Sequence, residues 1–521
     1  MPSLTSLALT TLLPLVGAAL ALLLPRNSSR LVRGYGIAVA LATFVQSLFV
    51  LAAFDATQSG FQMETNWEWV PALGIRFHLG VDGISLWLTL LSTLMVLVTL
   101  LSPQATGFVH DRNRGFVAAM LMLESGMIGA FLALDMFAFY VFWELMLVPM
   151  FFLIGLWGGE NRIYATVKFV LFTLVGSLPM LVLILLVGHA GHTFDYVKLL
   201  ENRLPQDLQL WGFLAFGLAF MIKVPLVPFH TWLPDAHTEA PAGGSVILAG
   251  VLLKMGTYGL LRFCLPLFPD ASQTLAPLLT ILAVIGIIHG ALCAAVQPDM
   301  KRLVAYSSVS HMGFIVLGIF TFTLQGMQGS VLQMLNHAVS TGALFFLVGM
   351  IYDQRHTRKI DDYGGLAKVV PMFAAAFLLT SLASAAMPGL CGFVGEYLIL
   401  SAAWNTSPIP TAFASLGVIL GAWYLFSLYN RVFLGPVKHE ANLKMKDMSL
   451  REGLVLAPLL ALMLYIGVQP RGFLAPMEKS LELSVINRLK PPPVLTDFAA
   501  EQKHLIDEGR VKLHPGRRNA R

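Results

Sequence analysis

Long apolar runs follow one another along almost the whole chain, each separated from the next by a short polar connection. A helix rises about 1.5 Å per residue, so a run of about twenty apolar residues crosses the roughly 30 Å hydrocarbon core of a bilayer. The pattern predicts an all-α polytopic membrane protein with about fourteen transmembrane helices. They are predicted at residues 4–24, 32–54, 84–102, 115–133, 136–156, 164–188, 208–230, 242–264, 275–296, 303–323, 327–352, 371–404, 409–433 and 451–470.

Two of these helices, the seventh and the twelfth, contain helix-breaking residues. Pro225 and Pro228 follow Lys223 in the seventh run, and residues 388–392 of the twelfth include one proline and two glycines. Proline removes a backbone donor and clashes with the preceding turn, so both helices are predicted to be discontinuous. Unwound backbone is tolerated in hydrocarbon only where protein or a water-filled cavity surrounds it. The breaks therefore indicate functional positions inside the membrane.

The two breaks lie five predicted helices apart, which indicates an internal duplication. Helices 4–8 and 9–13 would each form a five-helix unit with the break in its fourth helix. An odd number of helices gives the two units opposite orientations, and such inverted repeats are typical of transporters. The predicted units are residues 1–114 (helices 1–3), 115–264 (first repeat), 265–435 (second, inverted repeat) and 436–521 (helix 14 and the C-terminal tail).

Charge is scarce and unevenly placed. Only 12% of the residues are charged, against about a quarter in soluble proteins. The net charge of +5 is small and lies mainly in connections and tail, so nucleic-acid binding is not indicated. Seventeen Lys and Arg residues fall in odd-numbered connections and four in even-numbered ones, namely Arg76, Lys198, Arg203 and Arg262. The positive-inside rule then places the odd-numbered connections in the cytoplasm and both termini on the outer side.

No basic residue precedes the first apolar run and no cleavage pattern follows it, so this run is predicted to be a retained helix.

Four ionisable residues lie deep in the apolar runs: Glu144, Lys223, Lys254 and Glu396. Each costs about 2.5–3.5 kcal/mol at a helix centre. A pair between Glu144 and Lys223 would keep both charged. Movement of the Lys223 amine toward Lys254 would then bring two cations together and release a proton. Lysine suits such a relay because burial readily changes its protonation.

Each of these residues also has a purely structural alternative. Glu144 and Lys223 would form a static ion pair that locks two helices together. Lys254 would extend to the nearer membrane interface. Glu396 would cap the helix that restarts after the second break.

Two histidines lie between Lys254 and Glu396 in the sequence, His311 in the tenth run and His337 in the eleventh. Histidine titrates near neutral pH, and the serines beside His311 are suited to holding ordered water. These residues are candidates for a proton relay. The alternative is that each is a hydrogen-bonded core residue.

Three further residues leave two interpretations open. His230 and His237, near the end of the seventh helix, are either candidates for proton entry or simple loop histidines. Glu124 in the fourth helix is either a relay group or a structural carboxylate.

The three cysteines form no CxxC pair or Cys/His cluster, and no nucleotide-binding or nucleophile motif is present. No cofactor or metal site is therefore predicted in this chain.

Several motifs together resemble the antiporter-like membrane subunits of respiratory complex I and the Mrp-type cation/proton antiporters, and in detail the M-type (chain 4) subunits of NADH–quinone oxidoreductase. The similarity covers about residues 78–435. The motifs are residues 80–86, 142–144, 223–237, 299–313, 356–358 and 392–396.

This resemblance implies a fourteen-helix fold with two inverted repeats. It implies that Glu144 and Lys223 form the pair of the first half-channel, that Lys254 is the central relay lysine and that Glu396 is the terminal carboxylate. His311 and His337 would lie along the same polar axis. The implied function is proton translocation in a bacterial-type inner membrane, driven by NADH oxidation and quinone reduction in other subunits. The implied partners are the lipid bilayer and the neighbouring membrane subunits, with NADH and quinone bound elsewhere.

Three alternatives remain at this point. In the first alternative, the chain is a subunit of a sodium/proton antiporter driven by ion gradients. In the second, it belongs to a related membrane-bound hydrogenase or ferredoxin-driven pump. In the third alternative it is a structural spacer whose buried charges only fix the helix register.

Overall fold

The computed structural model describes residues 6–25, 28–102, 113–201 and 203–490. Helices occupy all fourteen predicted runs, so the all-α polytopic fold is confirmed. Within the described residues, ten helical segments are long and apolar enough to cross a membrane, and Leu7–Ala21, Ser85–Leu101 and Pro371–Ser384 are shorter apolar helices. A count of fourteen crossings, the inverted repeats and the four-unit division therefore stay predictions.

The helices are α1 Leu7–Ala21, α2 Ser29–Ala53, α3 Ser85–Leu101, α4 Asn113–Leu132, α5 Met136–Leu145, α6 Leu147–Trp157, α7 Arg162–Ala190, α8 Tyr196–Leu199, α9 Gln206–Lys223, α10 Trp232–Glu239, α11 Ala242–Ile247, α12 Leu253–Gly259, α13 Leu265–Leu267, α14 Pro269–Ala295, α15 Met300–Ile319, α16 Leu324–Arg355, α17 Pro371–Ser384, α18 Cys391–Thr406, α19 Pro408–Phe433, α20 Glu440–Leu443, α21 Leu450–Val468, α22 Arg471–Leu481 and α23 Asn487–Leu489. Short 3₁₀ turns lie at Pro71–Leu73, Ile360–Asp362 and Leu366–Lys368.

The predicted discontinuity of the seventh helix is confirmed. Helix α9 ends at Lys223 and α10 begins at Trp232. The indole Nε1–H of Trp232 donates to the Ile222 carbonyl oxygen at 2.9 Å, and the Leu226 amide donates to the Met221 carbonyl oxygen at 2.9 Å. Side-chain and turn hydrogen bonds therefore satisfy backbone groups that the prolines release from the helix.

The twelfth helix is also broken, between α17 and α18. Gly389 has φ +89°, a left-handed conformation that glycine adopts without a steric penalty. The Asn336 side chain of α16 donates to the Cys391 carbonyl oxygen at 2.7 Å, where α18 begins. The long helix α16 thus supports the backbone at this break.

The eighth span was predicted as a regular helix but contains two π-helical segments, Leu248–Leu252 and Leu260–Cys264. They lie on either side of α12, which carries Lys254. A π-turn shifts the hydrogen-bond pattern by one residue, which frees backbone carbonyls to accept other donors.

The predicted spans alternate in direction and assign the connections to two ends of the bundle, which we call the odd-loop face and the even-loop face. The even-loop face carries a feature absent from the sequence prediction, an antiparallel hairpin of β1 Gln62–Val70 and β2 Ile75–Val81. Helix α22 lies on the same face and is followed by a π-helical segment, Glu482–Ile486.

Helix α22 is held to the start of α3. The Ser480 hydroxyl accepts the Gly83 amide at 2.9 Å, and the Trp87 indole donates to the Phe473 carbonyl oxygen at 3.1 Å. A Cβ atom at Gly83 would lie 1.9 Å from the Pro476 carbonyl oxygen, so only glycine permits this approach. The C-terminal tail from residue 491 lies outside the described residues.

One residue was assigned wrongly to a connection. Arg262 was counted in an even-numbered loop, but it lies in the second π-helical segment with 1% of its side chain exposed. Its guanidinium lies 2.5 Å from the Asp82 carboxylate, which is equally buried, and it also contacts the Tyr258 hydroxyl at 3.2 Å. The ion pair with Asp82 stabilises a buried cation at the even-loop end of the eighth span. The number of Lys and Arg residues in even-numbered connections is therefore three instead of four.

Candidate functional site

The best-defined element of the site is the contact between Lys254 and His337. The Lys254 ammonium is fully buried and donates to His337 Nδ1 at 2.6 Å and to the Ala249 carbonyl oxygen in the first π-helical segment. The helix irregularity therefore provides an acceptor for the buried amine. The alternative in which Lys254 extends to the membrane interface is wrong, because its head group is held inside the bundle.

A second contact lies one helix further on, around Glu396. The Glu396 carboxylate accepts a hydrogen bond from His311 Nδ1 at 3.2 Å and from Gln333 Nε2 at 3.1 Å. Glu396 is the sixth residue of α18, and no acidic residue lies in the first turn of that helix. The capping alternative is therefore wrong, and Glu396 instead faces α15 and α16.

The two contacts are joined by the histidine rings. The centroids of His311 and His337 are 5.7 Å apart, and the two planes are tilted by 57°. The Nε2 atoms of both rings are buried without a hydrogen-bond partner among the described residues. The structure thus brings Lys254, His337, His311 and Glu396 into one line through α12, α16, α15 and α18; we call this line the central row.

Two amides that the sequence reasoning did not single out complete the central row. Gln333 donates to the Glu396 carboxylate, and the Asn336 side-chain amide donates to the side-chain Oε1 of Gln333 at 3.0 Å. Both lie on α16 within one turn of His337, on a face that also carries Ser340 and Thr341. This stripe of polar residues in an apolar helix was the available sequence signal.

The first half of the predicted relay differs from expectation. Lys223 is 3% exposed, and its ammonium lies 5.3 Å from the ring centroid of Trp143 and 5.7 Å from that of Phe169. No ion pair within 4.0 Å joins Lys223 to Glu144, two residues that are both described, although Glu144 is close enough to act on it electrostatically. The predicted contact pair, and with it the static lock, is therefore not formed; aromatic faces hold the ammonium instead.

The three remaining candidates lie in different surroundings. His237 is fully buried, its ring stacks on Phe345 with 4.7 Å between centroids, and neither ring nitrogen has a hydrogen-bond partner among the described residues. His230 instead contacts His289 on α14. Glu124 is fully buried in α4, and neither carboxylate oxygen has a partner there. His237 and Glu124 are thus separate from the contacts of the central row.

A surface groove of about 500 Å³ reaches Glu396 between α18 and α19. Its lining is mainly apolar, and the polar residues in it are Ser401 and Asn405 of α18 and Thr411 and Ser415 of α19. The groove therefore brings the last carboxylate of the central row to the outer surface of the bundle between these two helices.

Ion pairs join the ends of several helices at the odd-loop face. The Asp235 carboxylate lies 2.7 Å from the Lys168 ammonium and 3.7 Å from the Arg302 guanidinium, and Arg358 lies 3.1 Å from Asp299. These contacts fix the end of α10 against α7 and α15.

On the even-loop face, His78 of β2 contacts Asp195 at 3.0 Å and Glu64 at 2.9 Å. Burial by itself would lower the pKa of His78, but the hydrogen bonds to the two carboxylates outweigh it and raise the pKa above its usual value. Burial raises the pKa of Asp135, which caps α5 beside them, to about 6. This cluster ties the hairpin to two connections between helices.

Buried acids and bases on neighbouring helices, close to two broken helices, are typical of the antiporter-like class of polytopic membrane proteins. Residues 133–421 match the family described as NADH:quinone oxidoreductase/Mrp antiporter, TM. NADH-quinone oxidoreductase subunit M of Rickettsia bellii is 40% identical over 91% of this chain and 97% of its own length. NADH-ubiquinone oxidoreductase chain 4 of Marchantia polymorpha is 42% identical over 92% of this chain and 97% of its own.

Solved structures agree. A chain of respiratory complex I from Thermus thermophilus with bound NADH superposes with a TM-score of 0.83 and 34% identity, covering 93% of this chain and 100% of that chain. A chain of the Mrp complex from Dietzia superposes with a TM-score of 0.81, covering 94% of this chain and 100% of that chain, but is only 20% identical and shows the shared fold alone. This chain belongs to the M (chain 4) family of antiporter-like membrane subunits of NADH–quinone oxidoreductase.

Proposed function

We propose that this chain translocates protons across the membrane as a subunit of a multi-chain NADH–quinone oxidoreductase whose redox chemistry takes place in other subunits. The observation that carries the proposal is the contiguity of the central row, Lys254–His337–His311–Glu396. Every member can gain or lose a proton. Lys254 and His337 are within hydrogen-bond distance, as are His311 and Glu396, and the two histidine rings are neighbours with 5.7 Å between centroids. A structural spacer has no need for four such groups on four helices.

The direction of transfer follows from the two ends of the row. Lys254 lies deep in the bundle, and Glu396 borders the groove between α18 and α19 on its outer surface. The distribution of Lys and Arg assigns the odd-loop face to the cytoplasm and the even-loop face, with both termini, to the outer side of a bacterial inner membrane. Protons would therefore enter near the seventh-helix break, pass Lys223 and Lys254, and leave past Glu396.

Glu144 acts as the switch in this scheme. It lies within electrostatic range of Lys223 but outside ion-pair distance. An ion pair at about 4 Å is worth about 4 kcal/mol in total at an effective dielectric constant of about 20. Moving a proton against 100 mV requires about 2.3 kcal/mol. Glu144 already acts on Lys223, so its approach and withdrawal, driven through neighbouring membrane subunits, would supply part of this requirement by changing the proton affinity of the lysine.

The experiment measures the ratio of protons moved to electrons transferred in the reconstituted complex. Lys223→Ala and Glu396→Gln are each expected to lower this ratio, while the amount of this subunit in the purified complex shows that the complex is assembled. Glu201→Gln, which changes an exposed carboxylate in an even-numbered connection, is the matched control. An unchanged ratio in both assembled variants would refute the proposal.

A further inference from the structure

A pair of imidazoles outside the central row links the seventh-helix break to the surface. The Nε2 atoms of His230 and His289 lie 3.2 Å apart, and the ring planes meet nearly at right angles, at 79°. One ring must donate and the other must accept, so the pair holds one proton between its Nε2 atoms. Protonation of both rings would place two cations at this distance and is therefore disfavoured.

The pair lies in the half of the bundle near the odd-loop face. His289 is six residues before Ala295, the end of α14, which corresponds to about 9 Å along the helix axis. His230 is in the break between α9 and α10, seven residues after Lys223. The pair therefore lies on the side from which the proposed function loads protons.

The two histidines differ in their access to the outside. His230 is 8% exposed, whereas His289 is partly exposed on α14, between the outward-facing side chains of Ile285 and Leu292. Next to His289, one turn along, the Cys293 sulfur lies 3.6 Å from its Nε2 atom. His289 is therefore the outer member of the pair and His230 the inner one.

The other charged groups around the pair are also accounted for. The Lys168 ammonium on α7 acts electrostatically on His230 and is itself bound to Asp235. His237, the other candidate for proton entry in the same segment, is fully buried against Phe345 without a hydrogen-bond partner among the described residues. Of the two candidates, His230 is the one joined to a partly exposed titratable group.

We propose that His289 is the proton-entry residue of this chain and passes protons through His230 to Lys223. A proton binds His289 at Nδ1, the Nε2 proton of His289 moves to Nε2 of His230, and His230 releases its Nδ1 proton toward Lys223. The Nδ1 atom of His230 is buried and lies on the opposite side of the ring from the Nε2 contact with His289, which leaves it as the nitrogen for this step. The three steps together move one proton and leave both rings neutral but in the opposite tautomer, which must revert before the next proton passes. The inference rests on the proposed function.

The first test uses His289→Gln in the assembled complex. Glutamine keeps a polar side chain on α14 but cannot carry a proton at neutral pH. The proton-to-electron ratio is expected to fall to the value found for Lys223→Ala, while His192→Gln, an exposed histidine on the even-loop face, leaves it unchanged. A normal ratio in His289→Gln together with a lowered ratio in Lys223→Ala would overturn this inference alone. A normal ratio in Lys223→Ala would overturn the proposed function itself.

The second test uses the native cysteine beside the pair. Cys264 and Cys391 are fully buried, whereas Cys293 is partly exposed. A cationic, membrane-impermeant methanethiosulfonate reagent at Cys293 would place a fixed positive charge beside His289 and oppose its protonation. In inverted membrane vesicles, labelling is expected to lower the proton-to-electron ratio to that of His289→Gln, and Cys293→Ser is expected to be insensitive.

Either of two results would contradict the entry site in this labelling experiment. One is a labelled complex that pumps as well as Cys293→Ser. The other is a Cys293 thiol that does not react from the odd-loop side, because His289 would then have no access to water.

Discussion

Replacing Lys254 with methionine separates the chemistry of the central row from its structural role. The substitution removes the ammonium and keeps a flexible apolar side chain of similar length. His337 Nδ1 and the Ala249 carbonyl oxygen then lose their donor. Each buried polar atom left unsatisfied costs about 1–3 kcal/mol, so the two together cost about 2–6 kcal/mol.

The substitution also removes an unfavourable free energy of similar size, the cost of a buried lysine. A lysine at a helix centre costs about 2.5–3.5 kcal/mol, and Lys254→Met removes that cost. The net destabilisation is therefore at most a few kcal/mol, and the subunit is expected to assemble. Proton transfer through the row should nevertheless be lost, because His337 no longer has a proton donor on α12.

The assay compares proton uptake with electron transfer in proteoliposomes that contain the purified complex. The expected result is full assembly with a lowered proton-to-electron ratio. Lys198→Met, which removes an exposed lysine from an even-numbered connection, controls for the loss of one positive charge. A normal ratio in an assembled Lys254→Met complex would show that the central row fixes helix positions only.

Two further predictions concern the even-loop face. Asp82→Ala should destabilise the subunit by about 3–5 kcal/mol, because the fully buried Arg262 would keep its charge without a partner. The amount of subunit in purified membranes measures this destabilisation, and a double variant with Arg262→Met should recover part of the lost subunit. Normal assembly of Asp82→Ala would contradict the argument. The raised pKa of His78 means that its two carboxylate contacts stabilise the hairpin fully below the unfolded pKa of about 6.5 and lose that contribution as the pH rises through the raised value. Hydrogen exchange of the hairpin amides should therefore show weaker protection at about pH 8 than at about pH 6 after correction for intrinsic rates. His78→Gln should abolish this difference, and an equal difference in that variant would count against the cluster.

The sequence predicted what depends on local pattern. Apolar runs of membrane-spanning length, and the prolines after Lys223, dictate helices and a break from neighbouring residues alone. The candidate residues of the central row were identified for the same reason, since a charge or histidine in an apolar run is visible without a fold. Their contacts were not predictable, because Lys254 and His337 are 83 residues apart and meet only when α12 packs near α16.

The wrong predictions share a physical cause. Opposite charges in two apolar runs suggested a Glu144–Lys223 contact, but the rings of Trp143 and Phe169 hold the ammonium in this structure. Arg262 was placed in a connection because its partner Asp82 is 180 residues away in the sequence. In both cases the environment of a charge is set by distant elements.

The attachment of α22 to α3 has a consequence for biosynthesis. The hydrogen bond between Ser480 and Gly83 joins residues 397 positions apart, and the bond from Trp87 to Phe473 joins residues 386 apart. A ribosome makes α22 only after all preceding helices have been synthesised, so the start of α3 must wait for its partners until synthesis is nearly finished. A chain terminated before α22 would leave the Gly83 amide and the Trp87 indole without these acceptors, which gives the cell a physical difference between complete and incomplete subunits.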